Sequence, residues 1–237
     1  MRRLPLLLAS AALLVLPACS SNSSTDTTAT TDVTATAGSA VTADSAVAAD
    51  SAAPVAVPCP AADGSSPKTQ KFDVAPTVCI DVAKKYVATM VTNKGTMIFA
   101  LDPTKAPITV NSFVFLARYH YFDGIGFHRV VPSFVLQGGD PLGTGLGGPG
   151  YNFADELPKA GEYKFGSLAM ANSGPNTNGS QFFIISGPQG EQLPPSYSLF
   201  GQLTSGDDVV KAIDALGVGD GAPKEPVTIT SVTIEAR

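Results

Sequence analysis

From residue 84 onward the apolar residues of this chain fall into short runs, and that fragmentation limits the fold more than any other feature. Runs at 86–92 and 96–101 are strand-like, and Asn93-Lys94-Gly95 between them reads as a tight hairpin turn. Further short runs fall at 125–131, 134–137, 167–170, 182–185 and 198–203. A last one, at 227–235, alternates through Val227, Ile229, Val232 and Ile234 after a shift near Ser231. Only two stretches repeat at three and four. Behind Pro107, residues 108–119 place Val110, Phe113, Val114 and Ala117 on one face. Residues 207–216 form the second, with Gly217 as its stop. The 23 glycines and 19 prolines supply the turns that so many short strands require. The pattern implies an all-β dominated barrel or sandwich, with two helices able to cover its open ends.

The N-terminal quarter has a different composition. Met1-Arg2-Arg3 precedes an apolar run from Leu4 to Leu16 broken only by Pro5 and Ser10. That run is shorter than the roughly 20 residues of a membrane span and fits an export signal over 1–18. Leu16-Pro17-Ala18-Cys19 resembles the bacterial lipoprotein processing site, at which Cys19 would become the lipid-bearing first residue; plain secretion with cleavage near Ala18 is the alternative. Residues 20–57 are Ala, Thr, Ser, Val and Asp without an aromatic residue, too little apolar surface to offset chain ordering. The segment 19–57 is therefore expected to be a lipid-anchored tether with a reach on the order of 30–40 Å. The localisation that follows is extracytoplasmic, on the outer face of a bacterial membrane.

Cys59 and Cys79 remain as an even pair in an exported chain, where oxidation is permitted, and a disulfide is expected to pin the arm 58–83, which has little core of its own. Two free thiols or a metal pair are the alternatives. A metal site would need further ligands, and the chain has only His120 and His128. Loss of Arg2 and Arg3 with the leader moves the formal net charge from −5 to −7. An acidic chain without a basic run offers no footprint for nucleic acid. Membrane contact is expected through the lipid alone, and no coiled-coil repeat argues against a monomer.

Two segments carry polar residues that an ordinary strand would exclude. In 127–140, Arg129 and Gln137 interrupt Val130, Val131, Phe134, Val135 and Leu136; in 169–183, Gln181 stands directly before Phe182 and Phe183. A buried polar group without a partner costs about 1–3 kcal/mol, so a ligand-facing wall is a natural explanation. Gly143-Thr144-Gly145-Leu146-Gly147-Gly148 lacks the Lys-Ser/Thr of a phosphate loop and precedes no clear helix. No nucleophile elbow accompanies His128 or Asp140, so His128 reads as structural.

Phe127-His128-Arg129-Val130-Val131-Pro132-Ser133-Phe134-Val135-Leu136-Gln137-Gly138-Gly139-Asp140, read with Ala169 to Phe183, resembles the signature of the cyclophilin peptidyl-prolyl isomerases. The resemblance covers about residues 85–236. It implies an eight-stranded antiparallel barrel closed by two helices over 84–237, and rotation of X-Pro bonds without nucleophile, metal or cofactor. Its partners would be proline-containing polypeptides. It implies a dry niche from Phe134, Phe183 and Leu193 with Val135 at the edge, Arg129 as the donor to the imide nitrogen, and Gln137 beside it in the catalytic pair. Gln181, Ala171 and the backbone of Asn172 would hold the flanking chain. Two positions depart from the best-known eukaryotic pattern: Gln192 stands where a tryptophan often lies, and Tyr197, the remaining substrate-binding position, where a histidine often lies. The rival function is a non-catalytic module or holdase that binds proline segments.

Mass spectrometry of the mature chain should find a lipid-modified Cys19 at the N-terminus. An unmodified terminus beginning near that residue would remove the anchor.

Overall fold

The computed structural model describes residues 56–237. The signal segment, Cys19 and the tether as far as residue 55 lie outside the described residues.

Eight strands form one antiparallel sheet: β1 (Tyr86–Thr92), β2 (Gly95–Leu101), β3 (Arg129–Val131), β4 (Val135–Gly138), β5 (Ser167–Met170), β6 (Phe182–Ile185), β7 (Leu199–Ser205) and β8 (Ile229–Ala236). Their order across the sheet is β3-β4-β6-β5-β7-β2-β1-β8. Register shifts in the β1–β8, β2–β7 and β5–β7 pairings bend the strands, and the sheet curls into a half-barrel. The segment 124–127 ties the β3 end to β8: Gly124 N–H donates to Ile229 O at 2.8 Å and Phe127 N–H to Val227 O at 2.9 Å. That use of 125–128 shortens β3 to three residues, where the apolar pattern implies a strand from 125.

Among the described residues three helices accompany the sheet, one more than the periodicity implies. α1 is Pro107–Arg118, α2 Pro188–Glu191 and α3 Asp207–Asp214. A single turn such as α2 is too short to show a helical repeat. α3 ends two residues before the expected 216, where Gly217 N–H bonds back to Asp214 O at 3.0 Å.

β1 buries Tyr86, Ala88 and Met90 and turns the residues between them outward, whereas β5 and β6 are buried throughout. Aromatic rings fill the interior: Phe113 of α1 meets Phe122, Phe182 and Phe200 at centroid distances of 5.0, 5.9 and 5.1 Å. α1 buries more than the one face its periodicity implies, for Phe115 and Leu116 are enclosed as well. The arm supplies that second cover. Phe72 packs against Phe115 and Tyr119 at 4.9 and 5.4 Å. Phe72 and Ile80 are both buried, which corrects the expectation that the arm has little core of its own.

Cys59 and Cys79 are disulfide-bonded. Asn111 of α1 fixes the far end of that loop, accepting from Cys79 N–H at 2.7 Å and donating to Thr77 O at 2.9 Å. Thr69 N–H donates to Tyr119 O and Phe72 N–H to Pro149 O, so the arm runs from the end of α1 to the segment at 149–151. Closing a loop of this length contributes roughly 3 kcal/mol in the chain-entropy account. Replacing Cys59 and Cys79 together by Ser should lower the unfolding free energy by about that amount in denaturant titration. An unchanged midpoint would show that the arm is held by packing alone.

Candidate functional site

The short β3–β4 hairpin places the polar residues. Its register pairs Arg129 with Gln137 across the two strands, while Val130 and Leu136, the next pair, point into the core. Period-two alternation thus carries both polar side chains to the outer face. Arg129 Nη1–H donates to Gln137 Oε1 at 3.2 Å, and Gln137 Nε2–H to Gln181 Oε1 at 3.1 Å. Gln181 Nε2–H then donates to Gly145 O and Gly147 O, both at 2.9 Å. The Arg129 Nε–H donates to the Asp220 carboxylate. Each residue of the ladder is therefore tied to the next, which is what a half-buried row of amides and a guanidinium requires.

Beside the ladder lies a niche of about 210 Å³ lined by Arg129, Phe134, Val135, Gln137, Ala171, Asn172, Phe183, Leu193 and Tyr197. Phe183 and Val135 form its buried floor, at 4% and 3% exposure. Tyr197 meets Phe183 edge-on at 5.3 Å. Phe134 forms a wall, with the Arg129 Cζ 5.8 Å from its ring centre, within reach of a cation–π attraction. α2 and the segment leading into it hold that wall in place: Ser186 N–H donates to Phe134 O at 3.1 Å, and a Cβ on Gly190 of α2 would lie 2.4 Å from the same oxygen. Only glycine lets the α2 backbone approach so closely.

A second cavity of about 510 Å³ shares Gln137, Ala171 and Asn172 with the niche and continues past Gln181 to Leu146, Tyr151 and Thr177. Asn172 stands between the two. Its side chain is engaged, Nδ2–H donating to Ser196 O at 2.9 Å, but its backbone N–H and C=O have no partner among the described residues. The loop 140–148 borders this cavity, wound around the Asp140 carboxylate, which accepts N–H bonds from Leu142 at 2.7 Å, Thr144 at 2.9 Å and Gly145 at 2.6 Å. A Cβ on Gly147 would fall 1.9 Å from Asp140 Oδ1. Burial raises the Asp140 pKa, but the backbone bonds outweigh it and hold the carboxyl below its ordinary value. Burial pushes His128 down from its ordinary value, and both ring nitrogens are enclosed without a hydrogen-bond partner among the described residues. That is a neutral, packed imidazole.

Of the ten residues that sequence places in the catalytic and substrate-binding set, nine line the niche. Gln181 lies one step away, in the larger cavity, and reaches the niche through Gln137. Gln192 is exposed and does not line the niche. Sequence reading missed Asp220, the carbonyls of Gly145 and Gly147, and Tyr163. The Tyr163 hydroxyl donates to Tyr197 O at 2.7 Å and accepts from Tyr197 N–H at 3.1 Å, fixing the segment that carries the niche's aromatic edge. Burial raises the Tyr163 pKa to about 12, so it stays a donor. Nothing in its local sequence marks that role. Among the described residues no group of three or more His, Cys, Asp or Glu could hold a metal ion.

A family model described as cyclophilin type peptidyl-prolyl cis-trans isomerase/CLD matches residues 87–234. A probable peptidyl-prolyl cis-trans isomerase B of Mycobacterium tuberculosis is 46% identical over 166 residues, covering 62% of this chain; the chain spans 53% of that relative's length. A peptidyl-prolyl cis-trans isomerase B of Streptomyces anulatus is 41% identical over 177 residues, 66% of this chain and 100% of the relative. A Cryptosporidium parvum cyclophilin type isomerase, solved in the presence of the dipeptide Ala-Pro, superposes with a TM-score of 0.58 at 32% identity, over 64% of this chain and 99% of its own.

Because the folded pKa of Asp140 lies below its unfolded value, the stability it contributes is present above the ordinary carboxylate range and lost as pH falls through the folded value. Asp140→Asn should cost about 1–3 kcal/mol at neutral pH, a gap that narrows below about pH 4 in denaturant unfolding. A gap constant with pH would show that the charge plays no part.

Proposed function

The chain belongs to the cyclophilin-type peptidyl-prolyl cis-trans isomerase family, and we propose that it accelerates rotation about X-Pro bonds in exported proteins. In the same reading it is exported and held by a lipid on Cys19 to the outer face of a bacterial membrane, with residues 20–57 as the tether. That placement is supported by the basic start, the apolar run and the small residue before Cys19.

The observation that carries the activity is Arg129 lining the same niche as Phe134, Phe183 and Leu193, with its Cζ 5.8 Å from the Phe134 ring centre. An X-Pro bond has a barrier of about 18–20 kcal/mol because rotation breaks amide conjugation. The nitrogen lone pair released by twisting is absent from both planar forms. A donor aimed at that nitrogen therefore stabilises the transition state over either ground state. The guanidinium acts as a fixed fork of donors and needs no proton transfer. A pyrrolidine ring in the niche would be desolvated against Phe134, Phe183 and Leu193, and loss of water strengthens the guanidinium's attraction. The backbone N–H and C=O of Asn172, without a partner among the described residues, suit a client chain added as a strand, which would fix one side of the bond while the other turns. Lowering the barrier by about 5–6 kcal/mol gives roughly four decades of rate. Proline-containing clients are further supported by the relative solved with Ala-Pro.

Arg129→Ala should lower kcat/KM for isomerisation of a short X-Pro peptide by about 100-fold or more, the scale of losing one transition-state donor. Arg129→Lys should recover little, since a point charge lacks the planar fork. Equal rates for wild type and Arg129→Ala would defeat the assignment. Peptide binding without any wild-type rate acceleration would instead make the protein a proline-segment binder.

A further inference from the structure

We propose that Asp220 is the positioning residue of this site, holding the Arg129 guanidinium by its Nε–H so that the remaining N–H groups are presented to the proline niche. The proposal rests on the isomerase reading only for what the positioned group then does.

Asp220 is brought to Arg129 by backbone pairing. The loop 217–221 follows α3 and lies along β3, where Val130 N–H donates to Gly221 O at 2.8 Å. Arg129 precedes Val130 and Asp220 precedes Gly221, so this one bond sets the two side chains against each other. A Cβ on Gly217 would lie 2.7 Å from Pro132 Cδ and 2.8 Å from Val130 O, so the loop meets the hairpin backbone to backbone. At the C-terminal end of α3, just ahead of that loop, Asp214 Oδ1 accepts Ser133 N–H at 2.9 Å. The hairpin that carries both Arg129 and Phe134 is thus gripped at β3 and at its turn by α3 and the loop that follows.

The guanidinium is then held at two points from two different elements, Nε by Asp220 and Nη1 by Gln137. Two bonds in one plane define the plane. The Nη2 group has no partner among the described residues and remains for a substrate. Without Asp220 the head would keep only the 3.2 Å bond to Gln137 and the Phe134 ring, and neither stops rotation about the terminal bonds of a long side chain. A carboxylate also opposes the positive charge that the twisted amide requires. Asp220 is 72% exposed, however, so water and salt screen that opposing charge. The orientation of a planar donor is not screened, so positioning outweighs damping.

The test compares Asp220→Ala and Asp220→Asn with wild type in full-length protein, by peptide isomerisation and by NMR of the Arg129 Nε–H signal, assigned by its absence in Arg129→Ala. Asp220→Ala should lower kcat by about tenfold while KM stays within about twofold, because orientation matters most in the transition state. Asp220→Asn retains an acceptor oxygen and should recover to within about threefold of wild type. The melting temperature should not move, since an exposed pair adds little stability. The Nε–H signal should be protected from exchange in wild type and Asp220→Asn and lost in Asp220→Ala. Wild-type kcat in Asp220→Ala overturns the proposal, as does a faster rate in both variants, which would make Asp220 a damper of charge. An Nε–H signal unaltered in Asp220→Ala overturns it even if the wild type proves to have no isomerase activity, a result that would by itself count only against the isomerase reading.

Discussion

A row of side-chain hydrogen bonds across the outer face of three strands organises this molecule. Arg129 on β3, Gln137 on β4 and Gln181 at the entrance to β6 are linked in sequence and end on the carbonyls of the 140–148 loop. On the opposite face of the same strands lie Val130, Leu136 and Phe182, fully buried. One pleat thus serves two purposes, since slipping any of these strands by a single residue would drive the polar row into the aromatic core. The core therefore enforces the register of the site, and the polar row in turn penalises every other register.

The fold reads from the chain because strands and turns leave local marks. The hairpin β1–β2, the helix α1 and the alternation of β8 fall within a residue or two of where their apolar patterns and turn residues put them. The differences have tertiary causes. The apolar run at 125–131 implies one strand, yet residues 125–127 bond to 227–229, at and just before the start of β8, rather than continue β3. α2 carries no periodic signal. The second buried face of α1 is explained by distant residues such as Phe72, which lies some forty residues away in the chain.

The site was legible for a related reason. A charged or amide side chain inside an apolar run is costly unless something needs it, so Arg129, Gln137 and Gln181 stand out in the bare sequence. Their partners do not. Asp220 sits in a Gly-rich loop where an acidic residue is unremarkable, and Tyr163 looks like any surface aromatic residue until its hydroxyl meets Tyr197. Gly145 and Gly147 act through their carbonyl oxygens, which every residue has.

The order of residues alone thus determined the β-rich architecture and the two aromatic-and-amide segments, because periodicity, turn chemistry and misplaced polarity are properties of neighbours in the chain. Tertiary structure decided how the arm covers α1, how the loop after α3 reaches Arg129 and how the outer strands are joined. Those contacts link residues tens of positions apart, and their energy comes from shapes and unpaired groups that exist only once the chain has folded.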